Sequence, residues 1–256
     1  MSRSKRPTDI GRNRTGIKAS AIDRTELEEG ARLGRIEGYE GTEILSAERL
    51  FHARQADPVG TMPLPASLSG GAKAVLGAVK GEKTSVFLDL LGERLAFERT
   101  GCRLYEALLV KRLAADPHPT GPTPADLQHI RDQELEHFRI LWRALETMGA
   151  DPTAVTPGAD VVATASSGIL AALSDPHTTL NQGLKVILMA ELADADSWVL
   201  LADMAIELGQ SELAADFQRA ADQEEEHVVK VRAWAESSIA GEAGVELGHA
   251  APPPSH

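Results

Sequence analysis

From Thr84 onward, apolar positions recur at the three-and-four spacing of a helix face rather than with the alternation of a strand. The first run holds this pattern from Thr84, a suitable N-cap, to about Ala115. It contains no proline, and Asp116-Pro117 ends it. Thr123-Pro124 opens a second run, which stops at Gly149 after Met148. Thr178 opens a third, closed by Gly209, and Ser211 caps a fourth that ends near Ile239 before Gly241. Each run spans about 25–32 residues, far above the roughly 11–12 of an average globular helix.

The connections set the topology. Asp116 to Thr123 is short, and Gly209-Gln210 is shorter, so the runs pair as two antiparallel hairpins. Between the hairpins lies a long link from Gly149 to His177, broken by DPT, TPG and DPH. Inside it, the apolar stretch Val161 to Leu173 has room for one short helix. The expected fold is therefore all-α: a four-helix bundle of two hairpins joined by one long crossover. Ahead of it, Met1 to Lys18 is basic, Ser46 to Gln55 and Leu68 to Val79 carry short helical patterns, and DPVGTMPLP separates them. The expected organisation is an N-terminal extension over residues 1–83, partly disordered, the bundle over 84–239, and a disordered tail over 240–256.

Charged residues interrupt the apolar faces at matching places. The second run contains RDQELEHFRILW and the fourth ADQEEEHVVKVRAW, so DQExEH occurs twice, at Asp132–His137 and Asp222–His227. A Glu three residues before a His shares its helix face. Glu134 and His137 can thus reach one ion, as can Glu224 and His227, while Glu136 and Glu226 point away to solvent. Around Glu134 the same face carries Leu127, Ile130, Phe138 and Leu141; around Glu224 it carries Phe217, Ala220, Val228 and Val231. In the first run Glu98 stands among Leu91, Leu95, Cys102 and Tyr105. In the third, Glu191 stands among Leu184, Ile187, Leu188, Ala195 and Trp198. A carboxylate on an apolar stripe is costly unless paired or bound to metal. One Glu-x-x-His is weak evidence, because Glu is abundant. Two of them, with one inward Glu on each remaining helix, is the pattern of a dinuclear metal carboxylate site. The expected ligands are Glu98, Glu134, His137, Glu191, Glu224 and His227. Oxygen donors with imidazole suit iron first and manganese next, with zinc also compatible.

Composition narrows the function classes. Aromatics are only 4% of the 256 residues, which favours helix over sheet. A net charge of −12 disfavours nucleic acid as a partner, and the basic start is read as a solvated tail. Cys102 is the sole cysteine, so no disulfide or cysteine-built metal site forms within one chain. The opening MSRSKRPTDIGRNRTG has no apolar core of a secretory signal, and no run reaches membrane-spanning length. The expected location is cytoplasmic, with no membrane partner.

Over roughly Thr84 to Ile239, these motifs resemble the ferritin-like superfamily, in plan nearest to rubrerythrin, bacterioferritin and manganese catalase. The resemblance implies two metal ions per bundle in a di-iron oxidoreductase of ferroxidase or peroxidase type. It would act on O2 or hydrogen peroxide, with electrons from Fe(II) or an external donor, in a homo-oligomer. It also admits a di-manganese catalase, an organic-substrate di-iron oxygenase, or non-enzymatic iron storage. No catalytic residue beyond the ligands and no organic cofactor is expected. Asp194, one turn after Glu191, would either hydrogen-bond a ligand histidine or mark a polar boundary, and Tyr105, near the site, reads first as a packing residue and otherwise as a redox residue or proton donor. Cys102 reads as a small buried hydrophobe. Gly101, a costly mid-helix glycine, would either leave space beside the metals for dioxygen, peroxide or substrate or serve close helix packing. His129 should lie off the metal face, and His52, His118, His177, His249 and His256 have no assigned role. The repeated DQExEH, with Glu98/Tyr105 matching Glu191/Trp198, suggests pseudo-twofold symmetry about the site.

Overall fold

Helix boundaries in this chain are marked most clearly by the Thr123 and Thr179 caps and by glycines of positive φ. The computed structural model describes residues 82–115 and 121–247, with Leu50, Arg54 and Gly60. The expectations for the rest of the extension, for the Asp116-Pro117 break and for residues 248–256 lie outside the described residues. Leu50 and Arg54, inside the expected Ser46–Gln55 segment, are helical. Among the described residues every regular element is a helix, in the order α1 (Glu82–Ala114), α2 (Pro124–Thr147), α3 (Pro157–Ser174), α4 (Leu180–Glu207) and α5 (Ser211–Ala243). No helix among them is long and apolar enough to cross a membrane.

The caps explain most of these boundaries. Thr123 accepts a hydrogen bond from the Asp126 backbone N–H at 3.1 Å, and Asp126 accepts from the Thr123 N–H at 2.8 Å. Pro124 sits at the first helical position, where its missing N–H costs nothing. At α4 the same reciprocal box joins Thr179 and Gln182, so the cap is Thr179 rather than the expected Thr178. Two other expected caps do not form. α1 begins at Glu82, ahead of Thr84, and α5 begins after Gln210 without a side-chain cap, with Ser211 already helical. α5 also runs through Gly241 and ends at Gly244, the glycine that takes a left-handed φ of 65°. The helical core therefore covers Glu82–Ala243 rather than residues 84–239.

Two apolar layers hold the long helices together. One joins Phe87, Leu91 and Leu95 of α1 to Leu141 and Leu145 of α2, Trp198 and Leu201 of α4, and Phe217 of α5. The other joins Leu104 and Leu108 of α1 to Leu127 and Ile130 of α2, Leu184 and Ile187 of α4, and Val231 and Trp234 of α5. The start of α1 thus meets the end of α2, and the start of α4 meets the end of α5, which is the antiparallel pairing the short links require. α3 fills part of the long link and lies against α1. Asp89 of α1 accepts from the Gly158 N–H at 2.8 Å near the start of α3. Lys111 donates to the Asp175 and Thr178 carbonyls at 2.6 and 2.7 Å beyond its end. α3 therefore runs parallel to α1. Between the two apolar layers, all four long helices turn charged residues inward.

Candidate metal centre

The six expected ligands come together in that middle layer. None of Glu98, Glu134, His137, Glu191, Glu224 and His227 exposes more than 3% of its surface. They form two overlapping groups, Glu98–Glu134–His137–Glu224 and Glu134–Glu191–Glu224–His227, in each of which donor atoms lie within 4.8 Å of one another. Glu134 and Glu224 belong to both groups. The intervening Glu136 and Glu226 are exposed, as the helical spacing requires.

Each terminal ligand is held by its outer atom; the inner atoms of Glu98, His137 and Glu191 are left open, while His227 Nδ1 meets Glu224 Oε2 at 3.1 Å. Glu98 Oε1 accepts from Arg94 Nη2 at 2.7 Å and from the Trp198 indole N–H at 2.9 Å. Glu191 Oε1 accepts from the Tyr105 hydroxyl at 2.7 Å. The His137 Nε2–H donates to Gln223 Oε1 at 2.8 Å, and the His227 Nε2–H donates to Gln133 Oε1 at 3.0 Å. These bonds leave both Nδ1 atoms facing the carboxylates. His137 Nδ1 lies 2.7 Å from Glu224 Oε1, and His227 Nδ1 lies 3.1 to 3.5 Å from oxygens of Glu224, Glu134 and Glu191. The His137 ring also meets Trp198 edge-on, with centroids 5.4 Å apart.

These contacts are reciprocal. Tyr105 follows Glu98 on α1 but braces Glu191 on α4; Trp198 follows Glu191 on α4 but braces Glu98 on α1. Likewise, each DQExEH motif lends its Gln to the histidine of the other. The pseudo-twofold correspondence expected from the repeat thus extends to individual hydrogen bonds.

The donor set fits a metal pair on its own chemistry. Apart from Arg94 Nε, every buried side-chain nitrogen or oxygen without a hydrogen-bond partner among the described residues belongs to this cluster. The atoms are Glu98 Oε2, both oxygens of Glu134, His137 Nδ1, Glu191 Oε2 and Glu224 Oε1. Buried polar atoms are otherwise almost always paired, so atoms facing a common centre in this way could together hold a cation. Four carboxylates match the charge of two divalent ions, and the imidazoles add one nitrogen to each group.

The same groups are strongly coupled electrostatically. For His137, burial opposes the charged ring, but interactions with Glu224 and Glu98 outweigh it and push the ring up to about 11. For His227, burial is likewise outweighed by Glu134, Glu191 and Glu224, and the ring is raised well above its usual range. Burial would raise Glu224, yet the two histidines hold it down to about 2. Burial, then the charge of Glu224, holds Glu134 well above the usual carboxylate range. Protons on the imidazoles stand in for part of the charge that cations would supply.

Several side-chain expectations need correction. Asp194 does not touch a ligand histidine. It forms a buried ion pair with Arg94, whose guanidinium also stacks 4.5 Å from the Phe97 ring centroid. Burial opposes the charge of Arg94, and Asp194 and Glu98 outweigh it. The histidine-orienting role belongs to Gln133 and Gln223, and their signal in the sequence was the Gln repeated inside both DQExEH motifs. Gly101 does not open space for a small molecule: a Cβ there would lie 2.3 Å from Glu134 Oε2, so the carboxylate itself fills the place. Tyr105 is both packed and functional, since its buried hydroxyl holds Glu191. Cys102 is half-buried rather than buried, and burial with nearby Glu134 pushes its thiol up to about 11, which keeps it protonated and unreactive. His129 and His177 are exposed and away from the cluster.

Compared with protein-family models, with curated proteins and with solved structures, the chain finds no significant match in any of the three, so its chemistry is read from the geometry of these side chains.

Proposed function

We propose that the chain is a ferritin-like dinuclear carboxylate oxidoreductase, with iron as the metal and O2 or hydrogen peroxide as the oxidant, in a ferroxidase or peroxidase reaction. The observation that carries this reading is the sharing of Glu134 and Glu224 between two otherwise separate donor groups. Shared carboxylates suit two adjacent cations, whereas a single ion in one group would leave the terminal donors of the other unused. The hairpin pairing and the long link containing α3 support a ferritin-like four-helix plan.

When bound, two iron ions would supply the electrons that reduce dioxygen or peroxide. The protein's own residues do the rest. Glu98, Glu191, His137 and His227 would each hold one position through a single inward-facing atom, their outer atoms being fixed by Trp198, Arg94, Tyr105 and the two glutamines. Burial pushes the Tyr105 hydroxyl well above the usual phenol range, with Glu191 adding to the effect, so it stays a proton-bearing donor beside the site. The apolar layers above and below exclude bulk water, which strengthens every charge interaction between them. Cys102 is the only cysteine, so a peroxidase reaction would draw its electrons from an external reductant.

The test is reconstitution of metal-free protein with Fe(II) and separately with Mn(II), followed by metal analysis and by assays of Fe(II) oxidation and peroxide consumption. Two irons per chain with Fe(II)-dependent loss of O2 or peroxide is the expected result. Fewer than one metal per chain with either ion would sink the dinuclear reading. Peroxide disproportionation by the manganese form alone would replace it with a catalase.

A further inference from the structure

The reciprocal bracing has one break. Position by position along the repeat, Tyr105 answers Trp198, Gln133 answers Gln223, and Leu91 answers Leu184. Arg94 and Asp194, however, face no equivalents, because Ile187 and Gly101 stand at the matching places. Both members of this unmatched pair are buried, at 2% exposure each, and they lie on the Glu98 side of the centre.

Resting on the dinuclear reading above, we infer that Arg94 makes the two metal positions unequal, weakening the one built on Glu98 and His137, so that the Glu191–His227 position fills first. Glu98 Oε1 accepts two donors, one of them a charged guanidinium at 2.7 Å. Its counterpart Glu191 Oε1 accepts a single bond from a neutral phenol, also at 2.7 Å. Hydrogen bonds from charged donors are about twice as strong as neutral ones, and they draw electron density from the carboxylate they grip. The free oxygen of Glu98 is therefore the poorer donor to a cation. Asp194 balances the charge of the pair at a distance. Yet the positive end of the pair is the end that touches Glu98, where a cation beside it meets repulsion. The remaining donors are alike on the two sides: one imidazole each, fixed by one Gln each, and the shared Glu134 and Glu224.

The prediction concerns binding, independent of turnover. Removing one imidazole at a time gives two half-sites that can be titrated without repulsion between two ions. With Mn(II) as the probe, followed by the loss of its free-ion electron paramagnetic resonance signal, His137→Ala retains the stronger position and His227→Ala the weaker. The expected gap is roughly 10–100-fold, the usual effect of a residue that tunes a ligand from behind. Arg94→Lys keeps the charge and preserves the gap. Arg94→Met with Asp194→Leu removes the pair without stranding a buried charge, and the gap closes. Equal affinities of the two half-sites, or tighter binding by His227→Ala, would overturn the inference. A gap that persists in the folded Arg94→Met/Asp194→Leu background would overturn the role of Arg94. If that variant fails to fold, the half-site comparison with Arg94 in place still decides the inequality. Failure of the unsubstituted protein to bind two ions is a different result and counts against the dinuclear reading itself.

Discussion

Gly101→Ala tests the centre with a single methyl group. In a helix interior, Ala is favoured over Gly by about 0.8–1 kcal/mol. The new Cβ, however, would stand 2.3 Å from Glu134 Oε2, 3.0 Å from its Cδ and 3.5 Å from its Cγ, so only the carboxylate end must retreat, by about 1 Å. In the metal-free protein that movement is cheap, because what must shift is the far end of a flexible side chain. Gain and cost are of similar size, and the melting temperature of the metal-free protein should stay within about 4 °C of the parent. Metal binding should respond differently. Ligand positions tolerate only about ±0.2 Å, and Glu134 serves both groups, so affinity should fall at least roughly 10–100-fold. Circular dichroism melts of metal-free protein and calorimetric titration with Mn(II) read the two quantities separately. Unchanged affinity in the folded variant would refute the assignment of Glu134 as a shared ligand. A large drop in metal-free melting temperature would show that the methyl group meets something less yielding than a carboxyl.

Other substitutions separate bracing from binding. Gln133→Leu and Gln223→Leu should each lower metal affinity roughly 10–100-fold while leaving all six donors in place; calorimetry showing no change in either would contradict the role given to the two amides. Tyr105→Phe leaves the buried Glu191 Oε1 without a donor and should cost about 1–3 kcal/mol of metal-free stability in urea unfolding, and a loss within error of zero would refute it. The raised imidazoles make a pH prediction. His137, at about 11, and His227 lie above their unfolded value near 6.5, so protonation stabilises the metal-free fold fully below that value and the contribution fades as pH rises toward 11. The raised carboxyls of Glu134 and Asp194 act in the same direction. Metal-free melting temperatures should fall across this range more steeply than metal-loaded ones, and metal binding at pH 7 should release about two protons per chain or more, measurable with an indicator dye; binding without proton release would contradict protonated histidines.

The inward stripe was readable because helical spacing is a strict rule. Glu98, Glu134, Glu191 and Glu224 could not share faces with Leu, Ile and Phe and also reach solvent, and burial of each at 3% or less follows. Thr123-Pro124 and Gly209 marked boundaries for equally local reasons. What escaped the sequence depends on a second helix. Gln133 and Gln223 lie beside the metal-facing stripe of their own helices, and only the packing of α2 against α5 shows that each reaches the other's histidine. Arg94 resembles any helix-surface arginine until Asp194, on α4, is placed opposite it. The stop at Gly244 rather than Gly241 turns on which glycine takes a positive φ, and composition is the same at both.

Four of the five bracing bonds cross from one hairpin to the other, the exception being Arg94 to Glu98 within α1. Tyr105 and Gln133, on the first, hold Glu191 and His227, while Trp198 and Gln223, on the second, hold Glu98 and His137. A change inherited in one hairpin is therefore expressed as a fault in the ligands of its neighbour. The two halves are poorly suited to separate tuning and later combination, because each depends on the other for at least one bond to each of its terminal ligands. Despite their mirrored sequences, they are bound to vary together, as one heritable unit.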